Sequence, residues 1–175
     1  MIKEIITKEA IGQYTVAKQF HGYGNWARVV VKISPNENVA DYNIYFNLSK
    51  DGYITNISSE RLSDFKKAIL TSVKYDLSNG ILAGLPVVQL DVTIVRIDGL
   101  PGETTPESVK YAKSNGRLRL TATCQAIWEA MYNAKPELID TDSGRRKPLS
   151  EFELLGPPEI NVFFDEERKS WIYGC

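Results

Sequence analysis

The sequence predicts an α+β protein: a two-layer β-β-β-α-β-α sandwich followed by a C-terminal β-hairpin. Two observations carry this. Residues 41–48 and 87–97 alternate apolar and polar side chains at period two, the pattern of strands with one wet face. Between them, "SSERLSDFKKAILTSVKYDLSNG" repeats its apolar positions at three and four residues, through Leu62, Phe65, Ile69, Val73 and Leu77. Wet-faced strands and a helix that needs a partner make two layers.

The elements follow in order. Residues 13–20 form a weak strand with Tyr14 and Val16 on one face, and 27–35 set Val29, Val31 and Ile33 against Arg28, Lys32 and Ser34. In 41–48, Tyr42, Ile44, Phe46 and Leu48 share a face. The short connections "HGYGNW" and "NENVA" suggest antiparallel neighbours. Ser59 can cap the first helix, and Asn79-Gly80 can close it. Burying its five apolar side chains contributes roughly 1.5–3 kcal/mol each before entropy is subtracted. Pro86 suits the start of the strand at 87–97, where Val88, Leu90, Val92 and Ile94 face one way. A second helix over 117–133 buries Leu120, Cys124, Ile127, Trp128 and Met131. We read residues 1–140 as one domain, and 141–175 as a linker and a hairpin of "NVFF" and "SWIYG" flanking "DEERK".

Composition excludes several functions. A formal net charge of -1 over 175 residues is no general polyanion binder, so a nucleic-acid contact needs a local patch. No apolar run approaches the ~20 residues of a membrane helix, and "MIKEIITKEA" does not read as a secretion signal. Cys124 and Cys175 make no disulfide framework, which favours a cytoplasmic setting. With His21 the sole histidine, neither a zinc site nor a nucleophile–base pair is indicated. No phosphate-binding loop or nucleophile elbow is present, so no enzyme activity and no cofactor are expected. Asp140 with Asp142, and Asp165 with Glu166 and Glu167, could hold a hard cation, but solvated turn charges are the simpler reading.

One set of motifs is more specific. The run Gly80, Leu82, Gly84, Pro86, Val87, Val88, Val92 and Thr93 fits G-x-L-x-G-x-P-V-V-x-x-x-V-T. "GYGNWARVVVKISP" carries Gly22, Gly24, Val29 and Pro35 at the places of G-x-G-Q-Y-G-x-V-x-I-x-V-x-P. "ATCQAIWEAMYNAKPELID" supplies Ala122, Ala126, Glu129, Ala130, Pro136 and Leu138. Together, in this order, these segments resemble domain IV of elongation factor G. The resemblance implies the same β-β-β-α-β-α order, with the left-handed β-α-β crossover of ribosomal-protein domain 2-like folds, against the general rule. Nothing resembles the factor's GTPase domain, so the chain reads as a free-standing relative. In the family this domain reaches the decoding centre of the small ribosomal subunit through two tip loops. Here these map to His21–Ala27 and Asp98–Asn115. The second is longer than usual, and the family's tip histidine has no counterpart, its nearest position being Lys110.

The resemblance therefore implies binding to the ribosomal small subunit or to structured RNA. Its residues would be His21, Tyr23, Asn25, Trp26 and Arg28, with Lys110, Lys113, Arg117 and Arg119. An aromatic ring beside glycines can stack on an unpaired base while cations meet phosphates. Trp26 could equally pack on the sheet, with the charges forming a solvated helix start. A different class of function is an assembly module, in which the hairpin's Phe163, Phe164, Trp171, Ile172 and Tyr173 seek a partner or a second copy, giving a homo-oligomer.

Overall fold

The computed structural model describes residues 1–20, 23–49, 59–99, 122–157, 161–165 and 170–174. In chain order the elements are β1 (Ile2–Ile6), β2 (Ala10–Phe20), β3 (Tyr23–Pro35), β4 (Tyr42–Phe46) and α1 (Ser59–Asn79). They continue with β5 (Leu90–Gly99), α2 (residues 122–133), β6 (Pro136–Asp140), β7 (Arg146–Pro148), a 3-10 turn at Leu149–Glu151, and β8 (Asn161–Asp165) with β9 (Ser170–Gly174).

The main sheet has the order β2-β3-β5-β4. β2, β3 and β5 are antiparallel neighbours, whereas β4 runs parallel to β5 and is joined to it through α1. The "NENVA" connection thus does not make a hairpin, because β5 inserts between β3 and β4. Asp91 of β5 fastens both sides of that insertion, accepting from Asn36 Nδ2 and Asn43 Nδ2 at 2.9 Å each. The helices cover one face of the sheet. Val29, Val31 and Ile33 meet Leu90, Val92 and Ile94 under Ile69, Val73 and Leu77 of α1 and Ala126, Ile127, Ala130 and Met131 of α2.

A second sheet, β1-β6-β7, was not foreseen. β1 hides in the sequence because its centre is a charged residue, Glu4, that is fully buried. The Glu4 carboxyl group lies in the bend after α1. Oε2 accepts the N–H groups of Ile81 and Leu82 (3.2 and 3.0 Å), and Oε1 those of Ala83 and Leu85 (2.8 and 3.1 Å). The Glu4 backbone bonds on the same side, its N–H to Pro86 O at 2.9 Å and its O to Val88 N–H at 3.0 Å. That arrangement explains the crowded glycines. To bring four N–H groups onto one carboxyl group the chain must curl tightly, with Gly80 at φ 96° and Gly84 at φ 70°. Gln89 also lies at φ 55°, which breaks the extended run, so β5 begins at Leu90 rather than at 87.

The two glycines are not equivalent. A Cβ on Gly84 meets only Leu155 Cδ1 at 3.9 Å, whereas one on Gly80 lies 2.2 Å from the backbone N of Leu85. We expect Gly84→Val to lower stability by about 1–3 kcal/mol through backbone strain alone, and Gly80→Ala to cost more. Urea unfolding of both variants checks the order, and a urea midpoint unchanged in either would contradict the bend.

Residues 141–157, which read as linker, pack on the domain. β7 pairs with β6, Leu149 is buried, and Leu155 N–H donates to Leu82 O at 2.6 Å. Trp128, expected in the core, is half-buried and donates from Nε1 to Leu155 O at 3.2 Å while stacking on Tyr132. β8 and β9 form the predicted hairpin as a separate two-stranded sheet. Residues 117–121 of the expected second helix lie outside the described residues.

Candidate nucleic-acid interface

β2 and β3 pair without interruption from Ala10↔Ile33 to Phe20↔Tyr23. β5 accompanies β3 only as far as Ala27↔Gly99. Beyond that point Trp26, Asn25, Gly24 and Tyr23 pair with Ala17, Lys18, Gln19 and Phe20 alone among the described residues. Four residue pairs therefore project past the third strand, about 13 Å of two-stranded ribbon at ~3.3 Å per residue. The expected tip loop His21–Ala27 is thus largely strand. Tyr23 to Ala27 belong to β3, and only His21 and Gly22, outside the described residues, separate the two strands.

Lys110, Lys113, Arg117 and Arg119 also lie outside the described residues, but the ends of their segment are fixed. It leaves β5 at Gly99, opposite Ala27 at the base of the projecting ribbon. It returns at residue 122, upstream of the contact between α2 and Gly12, and α2 then runs towards the β1–β2 connection, where Ala134 O accepts the N–H groups of Thr7 and Lys8. Both ends therefore sit on the ribbon's side of Gly12.

Of the expected residues, Arg28 is the one whose side chain is described. It lies on the face of the sheet turned away from the helices, opposite Thr15 on β2 and Asp98 on β5, and its Nε is buried with no hydrogen-bond partner among the described residues. Asp98 is 2% exposed and accepts from Arg96 Nε at 2.7 Å. Sequence reasoning missed both Arg96 and Asp98. Continued alternation after Ile94 would turn Arg96 inward and Ile97 outward. The register instead slips by one residue between Val30 and Val31, with Val31↔Ile94 followed by Val30↔Arg96. Val95 is the extra residue of a β-bulge, which re-aims the side chains after it. Ile97 is thereby buried in the core, and Arg96 and Asp98 join Arg28 on the face turned away from the helices. The signal was present in "TIVRID", where Ile94 and Ile97 are apolar three residues apart within a strand.

Other polar groups belong to the scaffold. Lys32 pairs with Glu9 at 3.0 Å, and Arg146 with Glu37 at 3.0 Å. Between α1 and α2, burial pushes the Asp76 carboxyl group up in pKa against the hydrogen bond from Cys124, and Ser72 Oγ lies 3.7 Å from the Cys124 sulfur. Asp140, at the β6–β7 turn, is held at about 2 by hydrogen bonds from Ser143, the N-terminal amino group and the Asp142 N–H. No three His, Cys, Asp or Glu side chains converge as a metal set among the described residues, and no helix there is long and apolar enough to cross a membrane.

The family model for elongation factor G, domain IV, matches residues 1–135, and the chain belongs to that family. Elongation factor G of Dehalococcoides mccartyi is 27% identical over 157 residues, covering 90% of this chain and 19% of the factor. The chain thus spans about a fifth of the length of that relative. A crystal structure from Thermus thermophilus superposes with a TM-score of 0.55 at 23% identity, over 78% of this chain and 18% of that one, and shows the shared fold.

Proposed function

We propose that this chain is a non-enzymatic, translation-related protein that binds the small ribosomal subunit or structured RNA through the end of the β2–β3 ribbon and the segment that begins at Gly99. The observation that carries this reading is the ribbon itself. Four strand pairs continue past the end of β5, and they hold Tyr23, Asn25 and Trp26 in β3 beyond the last residue that β5 pairs. Trp26 offers a face on which a base can stack, and Arg28, Lys110, Lys113, Arg117 and Arg119 offer phosphate contacts in a protein whose net charge is -1. Membership of a translation factor's domain family supports the same reading, and with it a cytoplasmic setting. No cofactor is required.

Assembly is the second reading. It rests on β8–β9, a two-stranded sheet that pairs with no other strand among the described residues, an arrangement marginal in water without a partner. Co-sedimentation with small ribosomal subunits at low and moderate salt separates the two. Retention at low salt that weakens as salt rises supports the RNA reading. Free protein at both salts, together with a mass above one chain by light scattering, supports assembly instead.

A further inference from the structure

We propose that the outer edge of β2 receives the β8–β9 hairpin of a second copy, two copies exchanging hairpins so that each main sheet grows from four strands to six. This goes beyond the RNA reading; it gives the assembly reading its surface and rests on it. Two open edges in one chain point to the exchange. No strand pairs with the outer side of β2 among the described residues. In an antiparallel ladder the N–H and C=O groups turn alternately to the two sides, so about five residues of β2 aim both groups outwards. Another extended backbone supplies donors and acceptors at that spacing.

β2 lacks the devices that keep such an edge single. Edge strands are usually short, or carry charges, a proline or a bulge. β7 has three residues, two of them basic and the third a proline, and β4 has five. β2 has eleven, holds no proline, has Lys18 as its one charge and pairs with β3 without a break in register. Gly12 and Val16 are buried, while Ile11 is 59% exposed and Gln13 and Thr15 are exposed beside it. The hairpin is the complementary piece. β8 and β9 have five residues each, six of the ten apolar or aromatic, and pair only with each other among the described residues. Two strands alone are marginal in water, and a third stabilises them. Within one chain the hairpin and β2 belong to separate sheets, so the strand that completes β2 comes from another copy. Reciprocal exchange closes a dimer, whereas one-way donation would run on into a filament. A five-residue strand along Ile11–Thr15 leaves Ala17 to Phe20 to the ribbon.

The test uses the full chain in light scattering and in backbone hydrogen exchange, each over a concentration series. The expected result is a dimer at high concentration in which a second, alternate set of amides within Ile11–Thr15 exchanges about tenfold or more slowly than in the monomer. The amides bonded to β3 should be protected in both states. Gln13→Lys puts a charge on the exposed edge, and Phe163→Pro removes a donor from β8. Each should raise the dimer dissociation constant about tenfold or more, the equivalent of one or two hydrogen bonds, and abolish the added protection. The urea midpoint of monomeric Gln13→Lys should equal that of the monomeric parent, which separates a lost dimer from a lost fold. A Phe163→Pro dimer that still protects Ile11–Thr15 would mean that β2 pairs with β2 of the second copy, and would overturn the exchange. A parent dimer without added protection in β2 would overturn the surface and leave the assembly reading standing. Added protection in a chain that stays monomeric would place its own hairpin on β2 and overturn the exchange. A monomer at every concentration, without added protection, would overturn both the exchange and the assembly reading.

Discussion

Gly12→Ala should destabilise the domain by at least about 3 kcal/mol, a large fraction of what a domain of this size possesses. Gly12 lies on β2 where α2 crosses the sheet. A Cβ there would sit 1.8 Å from Ala126 O and 2.6 Å from Ala130 N. Both atoms are helix backbone, so no rotamer change can relieve the clash, and α2 must lift from the sheet. The alanines on the facing side of α2 allow that close approach from above: Ala122, Ala126 and Ala130 are all fully buried. Lifting the helix would also loosen Ile127 and Met131, which fill the core on either side. Gln13→Ala, one residue along on the wet face, should stay within about 0.5 kcal/mol. Denaturant unfolding of the two variants checks this, and a Gly12→Ala midpoint equal to that of the parent would show the packing to be wrong.

Glu4→Ala should cost about 3–5 kcal/mol, because it strips a shared acceptor from four N–H groups. Water cannot easily replace it at a residue with no exposed surface. Glu4→Gln is the sharper variant. Its single carbonyl oxygen can serve one pair of donors, but its NH₂ group then faces the other pair donor to donor. It should therefore be destabilising too, although it differs from the native residue by hardly any volume. Hydrogen exchange at Ile81, Leu82, Ala83 and Leu85 supplies a local readout. These amides should exchange faster in Glu4→Gln even under conditions where the rest of the core is protected. Native-like protection at all four would mean that the carboxyl group does not organise the bend.

These two residues also show what the sequence could and could not reveal. Period-two and helical patterns located α1 to within a residue and β3, β4 and β5 to within a few, and the described part of α2 falls inside the expected helix, because burial on one face imposes a rhythm. Where a residue acts through something other than that rhythm, the pattern is silent. Glu4 interrupts β1 with a charge that only a bend 77 residues later makes tolerable. Gly12 looks unremarkable in a strand until a helix backbone rests on it. The bulge at Val95 defeats alternation by a single residue, and so concealed Arg96 and Asp98. The order of β4 and β5 was hidden because loop length reports on nearness along the chain and not on a strand inserted later. Gly24 and Trp26 read as part of a loop, but their place in a paired ribbon depends on cross-strand register, which one strand alone does not disclose.

The central claim is that the ribbon end and its neighbouring segment meet RNA. The most direct measurement is a salt series of binding to small ribosomal subunits for the parent and three variants. Trp26→Ala should weaken binding by roughly 1–3 kcal/mol with little change of slope, because a stacking face is lost and no charge. Replacing Lys110, Lys113, Arg117 and Arg119 together by alanine should flatten the slope, each phosphate contact accounting for about 0.7–0.9. Replacing Arg145, exposed at the β6–β7 turn, and Lys147, exposed on β7, should change neither. The expected result is this division between stacking and charge. Absence of binding by the parent at low salt, or loss confined to the Arg145 and Lys147 variant, would contradict it.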